Sequence, residues 1–187
     1  MNLGKTLYVT TGKNWRSWLA KNHTKEKEIW LIYYRKSSGK LRIPYNDAVD
    51  EALCYGWIDS TLKGIDKEKF AQRFTPRRIK SKLSELNKER ICRLIKKKKM
   101  TSAGLAIVKH LLDNPSKKLK LKINPDILKQ LKQDDKTWKN FQKFPESYKR
   151  IRIGWIESCR TRPELFKQRL RYFLKMTAKN KKYGMVR

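Results

Sequence analysis

Trp57, Asp59, Arg73, Thr75, Arg77 and Arg78 are the residues whose types and spacing are suited to chemistry. They sit on two short runs, 57–62 and 69–75, in which polar and apolar residues alternate as they do along half-buried strands. If the runs pair as a hairpin, Asp59 faces Arg73 or Arg77 across the ladder, with Trp57 beside them. A carboxylate, a guanidinium fork and an indole face in one cleft would hold a flat anion such as a nucleotide or a phosphorylated metabolite. The competing expectation is a structural Asp–Arg pair that joins the sheet to the helical part, because buried ion pairs often have no catalytic role. Both readings stay open on residue types alone.

Other chemistries find little support. Only His23 and His110 exist, with no Gly-x-Ser-x-Gly elbow near either, so a Ser/His/Asp triad is not expected. Cys54 lies on the apolar side of a helical pattern, which reads as core packing rather than as a nucleophile. There is no Gly-x-x-x-x-Gly-Lys phosphate loop. Neither histidine has a cysteine or a second histidine at ligand spacing, so no metal and no cofactor is expected.

The elements that must position these residues read clearly. Thr6–Thr10 has strand composition, and Trp15, Trp18 and Leu19 fall on one helical face of 13–22. Glu28–Arg35 reads as a strand buried on both faces, stopped by Ser37, Ser38 and Gly39. A helix over 44–55 ends at Gly56, and Pro76 closes the second hairpin strand. After Ser81 the period becomes helical. Ser84 caps a helix to Lys99 and Thr101 caps one carrying Leu105, Val108, Leu111 and Leu112. Asn114–Lys122 reads as a linker. Helices then follow from Pro125, over 135–144, over 145–159 and from Pro163 to about Ala178. The fold class is therefore α+β: a small, mainly antiparallel sheet with two helices, followed by a bundle of about five helices. The expected domains are 1–113 and 123–187.

Charge dominates the composition. The 187 residues carry a formal net charge of +31, with residues 1–80 at +9 and 81–187 at +22. Such a field attracts phosphate polymers, so nucleic acid bound without sequence preference is one expected partner. Lys outnumbers Arg by 33 to 15, however, which also fits solvated helix faces without a directed contact. Tyr148-Lys149-Arg150 and Arg169-x-Arg171-Tyr172-Phe173 interleave aromatics with bases, a spacing that serves either base stacking or a helical core. Lys96–Lys99 reads as a solvated helix end. Three scattered cysteines, Cys54, Cys92 and Cys159, point to reduced thiols, and Met1–Thr11 shows no secretory pattern. The longest apolar run is six residues, Ile29–Tyr34, far below the roughly 20 that a spanning helix needs. A cytoplasmic protein without membrane insertion is expected.

Several stretches together resemble the YdeI/OmpD-associated, bacteriocin-protection family. They are Trp15-x-x-Trp18-Leu19, Glu28-Ile29-Trp30-Leu31, Tyr45-x-x-Ala48-Val49-x-x-Ala52-Leu53-x-Tyr55-Gly56-Trp57-Ile58-Asp59 and Arg73-Phe74-Thr75-Pro76-Arg77. Trp138-x-x-Phe141, Phe144-Pro145-x-Ser147-Tyr148 and Trp155-Ile156 extend the likeness into the tail. The chain departs from the family at Leu83, where an aromatic is usual, and at Leu165-Phe166. The resemblance implies an α+β first part, a helical second part and an association with protection against bacteriocins or cationic peptides, with no established catalysis. The expected function is a non-enzymatic protective protein that binds an anionic small molecule. A nucleic-acid binder and an enzyme on a phosphorylated or nucleotide-like substrate are the alternatives.

Overall fold

The computed structural model describes residues 3–78, 81–112 and 121–184, with backbone alone at 110–112. The linker expected at Asn114–Lys122 thus lies outside the described residues up to position 120, as do the side chains of His110, Leu111 and Leu112. The chain divides into two compact units, Met1–Lys82 with Arg90–Asn114, and Leu83–Glu89 with Pro115–Arg187.

In the first unit, β1 (Thr6–Leu7) leads through α1 (Gly12–Asn22) to β2 (Ile29–Tyr34), and α2 (Tyr45–Cys54) precedes the hairpin of β3 (Trp57–Gly64) and β4 (Lys69–Pro76). The sheet order is β1-β2-β4-β3. β1 and β2 are parallel, and the other two pairings are antiparallel. This is the mixed, mostly antiparallel α+β architecture read from the sequence. β1 is shorter than the expected 6–10, because the carbonyl of Val9 bonds to Ile43 N–H at 3.3 Å instead of continuing the ladder, and Thr11 already caps α1 through Asn14 N–H at 3.2 Å.

One sheet face carries Ile29, Leu31, Tyr33, Phe74 and Trp57, all buried, as the register and the two-residue alternation of strands require. α1 and α2 supply Trp15, Leu19, Ala48, Val49, Ala52 and Leu53, also buried. The Trp15 ring meets Phe74 at 5.4 Å, and its indole N–H donates to Ala48 O at 3.0 Å, so a large polar-tipped side chain is buried with its donor satisfied. α2 stops at Gly56, whose φ of +73° suits glycine.

α3 (Glu85–Lys96) and α4 (Ser102–Leu112) follow the sheet. α3 ends three residues before the expected Lys99, because Lys98 adopts a left-handed φ of +53°. That turn lets Lys98 N–H and Lys99 N–H satisfy the carbonyls of Ile95 and Leu94. The start of α4 docks on the end of α2: Thr101 donates from both N–H (3.1 Å) and Oγ1 (2.6 Å) to Cys54 O. A Cβ at Gly104 would fall 2.2 Å from that same oxygen, so only glycine permits the approach.

The second unit contains α5 (Pro125–Lys132), α6 (Asp135–Lys143), α7 (Glu146–Glu157) and α8 (Pro163–Ala178). Ile127, Leu131, Phe141, Ile153, Ile156 and Phe173 form its buried core. Trp138 and Trp155 are partly buried and pack against that core. No helix among the described residues is long and apolar enough to cross a membrane.

Candidate functional site

The end of β4 and the segment after α1 enclose a groove of about 620 Å³. α1 finishes at His23, and Lys25 N–H and Glu26 N–H both bond to Asn22 O at 3.0 Å, which turns residues 23–27 toward β2. Antiparallel pairing opposes Ile29 to Phe74, so the entry of β2 lies beside the exit of β4. Arg73, Thr75 and Arg78 therefore line one groove with His23, Lys25 and Lys27.

The six residues singled out from the sequence do not all converge. The register pairs Trp57 with Pro76, Ile58 with Thr75 and Asp59 with Phe74. Opposed residues share a face and successive residues alternate, so Trp57 and Asp59 stand on the helix-covered face, whereas Arg73 and Thr75 stand on the other. The expectation that Asp59 faces Arg73 or Arg77 is corrected by this one-residue difference in register. Asp59 instead accepts from Tyr45 O–H at 2.6 Å. Burial and the Asp59 carboxylate push the Tyr45 phenol above its ordinary range. Trp57 is sealed in the interior, edge-on to Trp18 at 5.9 Å, and its indole N–H donates to His23 O at 3.1 Å. It braces the groove without lining it.

Arg77 is buried, and although its backbone N–H still bonds to Gly56 O at 2.8 Å across the hairpin, its side chain turns to the segment beyond β4. Its Nη2 donates to the carbonyls of Ser81 (2.7 Å) and Lys82 (2.8 Å), and desolvation lowers its pKa. Its role here is to hold the chain after β4.

Arg73 points into the groove and is paired with Glu28, its Nε donating to Oε2 at 2.9 Å. That guanidinium, followed by the Trp30 indole N–H at 3.1 Å, holds the Glu28 carboxyl below the usual carboxylate range. Glu26 is engaged by Lys5. Lys25, Lys27 and Arg78 have no acidic partner among the described residues, so the groove keeps an excess of positive charge. His23 is oriented by Nδ1 lying 2.9 Å from Leu19 O and by the Tyr55 ring at 5.1 Å. A carbonyl only accepts, so this contact places a proton on Nδ1, and Nε2 has no hydrogen-bond partner among the described residues. Such a site can hold an oxyanion through guanidinium, ammonium and the Thr75 hydroxyl.

Sequence reasoning missed His23, Lys25 and Lys27. The readable signal was the polar run 22–28 between a helix and a strand. What it lacked was the partner of β2, which brings that run to the end of β4.

Residues 7–107 match a family model described as Domain of unknown function (DUF8412). Residues 120–180 match the model described as Bacteriocin-protection, YdeI or OmpD-Associated. The groove, including Arg73, Thr75 and Arg78, falls in the first match. Comparisons with curated proteins and with solved structures returned no match. Matched over more than half of its length, the chain belongs to the DUF8412 family and carries, at residues 120–180, a domain of the Bacteriocin-protection, YdeI or OmpD-Associated family.

Proposed function

We propose that the protein binds a small anionic ligand in the groove of Arg73, Thr75 and Arg78 and serves, as a binder rather than a catalyst, in bacteriocin protection or a related stress response. The observation that carries this reading is the excess of cations in one groove: Lys25, Lys27 and Arg78 converge there, while both nearby carboxylates are already paired. The description of the model matched at 120–180 supports the protective role, and the three free cysteines support a reducing, cytoplasmic setting.

Isothermal titration with inorganic pyrophosphate tests the binding. Arg78→Gln and Lys27→Gln are each expected to weaken it at least tenfold, while Asp59→Asn, on the opposite sheet face, leaves it unchanged. Equal affinity in all four proteins would remove the groove as the site. Unchanged survival of a clean deletion strain under bacteriocin would remove the protective role. A second reading, an enzyme on a phosphorylated small molecule, draws support from the fixed orientation of His23. It requires that His23→Gln abolish turnover while pyrophosphate still binds.

A further inference from the structure

We propose that the solvent side of α8 and the segment after it form a platform for single-stranded nucleic acid, separate from the anion groove. From Leu165 to Arg187 the sequence has eight cations and no acid. The fold sorts them. Arg169 is committed inward, donating from Nη1 to Trp155 O at 2.6 Å and to Ser158 Oγ at 3.1 Å, with its guanidinium 4.4 Å above the Trp155 ring. Phe173 is fully buried in the core. Arg171, Lys175 and Lys179 are exposed and stand within about 80° of one another around the helix, spanning about 12 Å along it.

Tyr172 stands among them. It is 45% exposed and meets the Tyr183 ring edge-on at 4.8 Å, so part of its ring remains open to a base. The tail is aimed by the helix stop: Asn180 takes a left-handed φ of +52°, and Lys181 N–H bonds to Met176 O at 2.9 Å. Lys181 and Lys182 are thereby exposed beyond the last turn. α6 adds to the field. Asn140 Nδ2 donates to Thr177 O (3.1 Å) and Ala178 O (3.2 Å), which sets exposed Lys136 and Lys143, one turn to either side of Asn140, beside that end of α8.

Phosphates spaced along a flexible strand match a row of cations, and an exposed ring accepts any base on its face. An anionic membrane is the weaker fit: the apolar side of α8, with Phe173 and Leu170, is spent on the core, which leaves no apolar face to insert.

The test is fluorescence anisotropy of a labelled single-stranded oligothymidylate of about 20 nucleotides across a salt series, with thermal melts to confirm folding. Arg171→Glu with Lys175→Glu is expected to weaken binding at least tenfold and to make the slope of log affinity against log salt shallower by about 1.4. Tyr172→Ala is expected to cost at least fivefold with the slope unchanged. Lys13→Glu with Lys36→Glu, the same charge change on exposed residues of the first unit, should change affinity less than twofold. Equal losses from the two double reversals would reduce the effect to overall charge and overturn the platform. So would unchanged binding by Tyr172→Ala, or wild-type protein that binds phosphatidylserine vesicles but not the oligonucleotide.

Discussion

Asp50 shows how one carboxylate organises the helical side of the first unit. Arg90, 4% exposed, donates to it at 2.6 Å and also reaches Asn46, and Arg93 holds the second carboxylate oxygen. Taking one partner from such a pair leaves charge behind in a place with little water. Arg90→Met is therefore expected to lower stability by about 2–3 kcal/mol, with Arg93 limiting the loss, as read by urea unfolding. The thiols make a second test at this scale. Burial, and then the neighbouring Glu51 carboxylate, push the Cys54 thiol up to about 11. Cys54 and Cys159 are buried, and Cys92 is partly exposed. A thiol reagent added to native protein at pH 8 is expected to modify Cys92 first, with Cys54 reacting only on unfolding. Fast modification of Cys54 would revive it as a nucleophile.

At the scale of elements, termini and close approaches decide where helices begin and meet. Asp134 caps α6, accepting from Thr137 Oγ1 at 2.6 Å and Thr137 N–H at 2.7 Å, and these bonds hold its carboxyl below the usual range. A depressed carboxyl contributes stability that is present above its unfolded value of about 3.9 and lost as pH falls through the folded one. Melting temperature is expected to drop as pH falls below about 4, less steeply in Asp134→Asn, by circular dichroism. The α2–α4 junction has no such latitude. Gly104→Ala would drive a methyl into Cys54 O, and unlike a clash with a flexible side-chain end it can be relieved only by moving backbone. A loss of about 2–3 kcal/mol is expected in urea unfolding, and a neutral result would mean that the two helices part readily.

For the whole molecule, a net charge of +31 opposes compaction, and the ion pairs, many of them exposed, offset it only locally. Screening acts on both, but repulsion is the larger sum here. Raising NaCl from about 10 to 200 mM is therefore expected to raise the melting temperature, and a fall would show that ion pairs dominate.

What the sequence by itself determined was local. Helix and strand identities follow from period, from Gly56 and Pro76, and from the caps at Ser84 and Thr101, because each depends on a few adjacent residues. The likeness to the Bacteriocin-protection, YdeI or OmpD-Associated family was legible for a similar reason in the short motifs at 138–156, whereas the motifs at 15–77 fall in the stretch that matches DUF8412. Three things were decided only by tertiary structure: which face Asp59 occupies, whom Arg73 meets and which loop walls the groove. A strand slipped by one residue turns every side chain to the opposite face, so the register that opposes Asp59 to Phe74 undoes a pairing that composition allowed. The Arg73–Glu28 contact joins residues 45 apart, through a pairing of β2 with β4 that no neighbouring residues announce. At α8 the helical period already allowed Phe173 its place in the core and Arg171 its place outside; what packing in the second unit decided is that Arg169 turns inward with Phe173 while Tyr172 turns out.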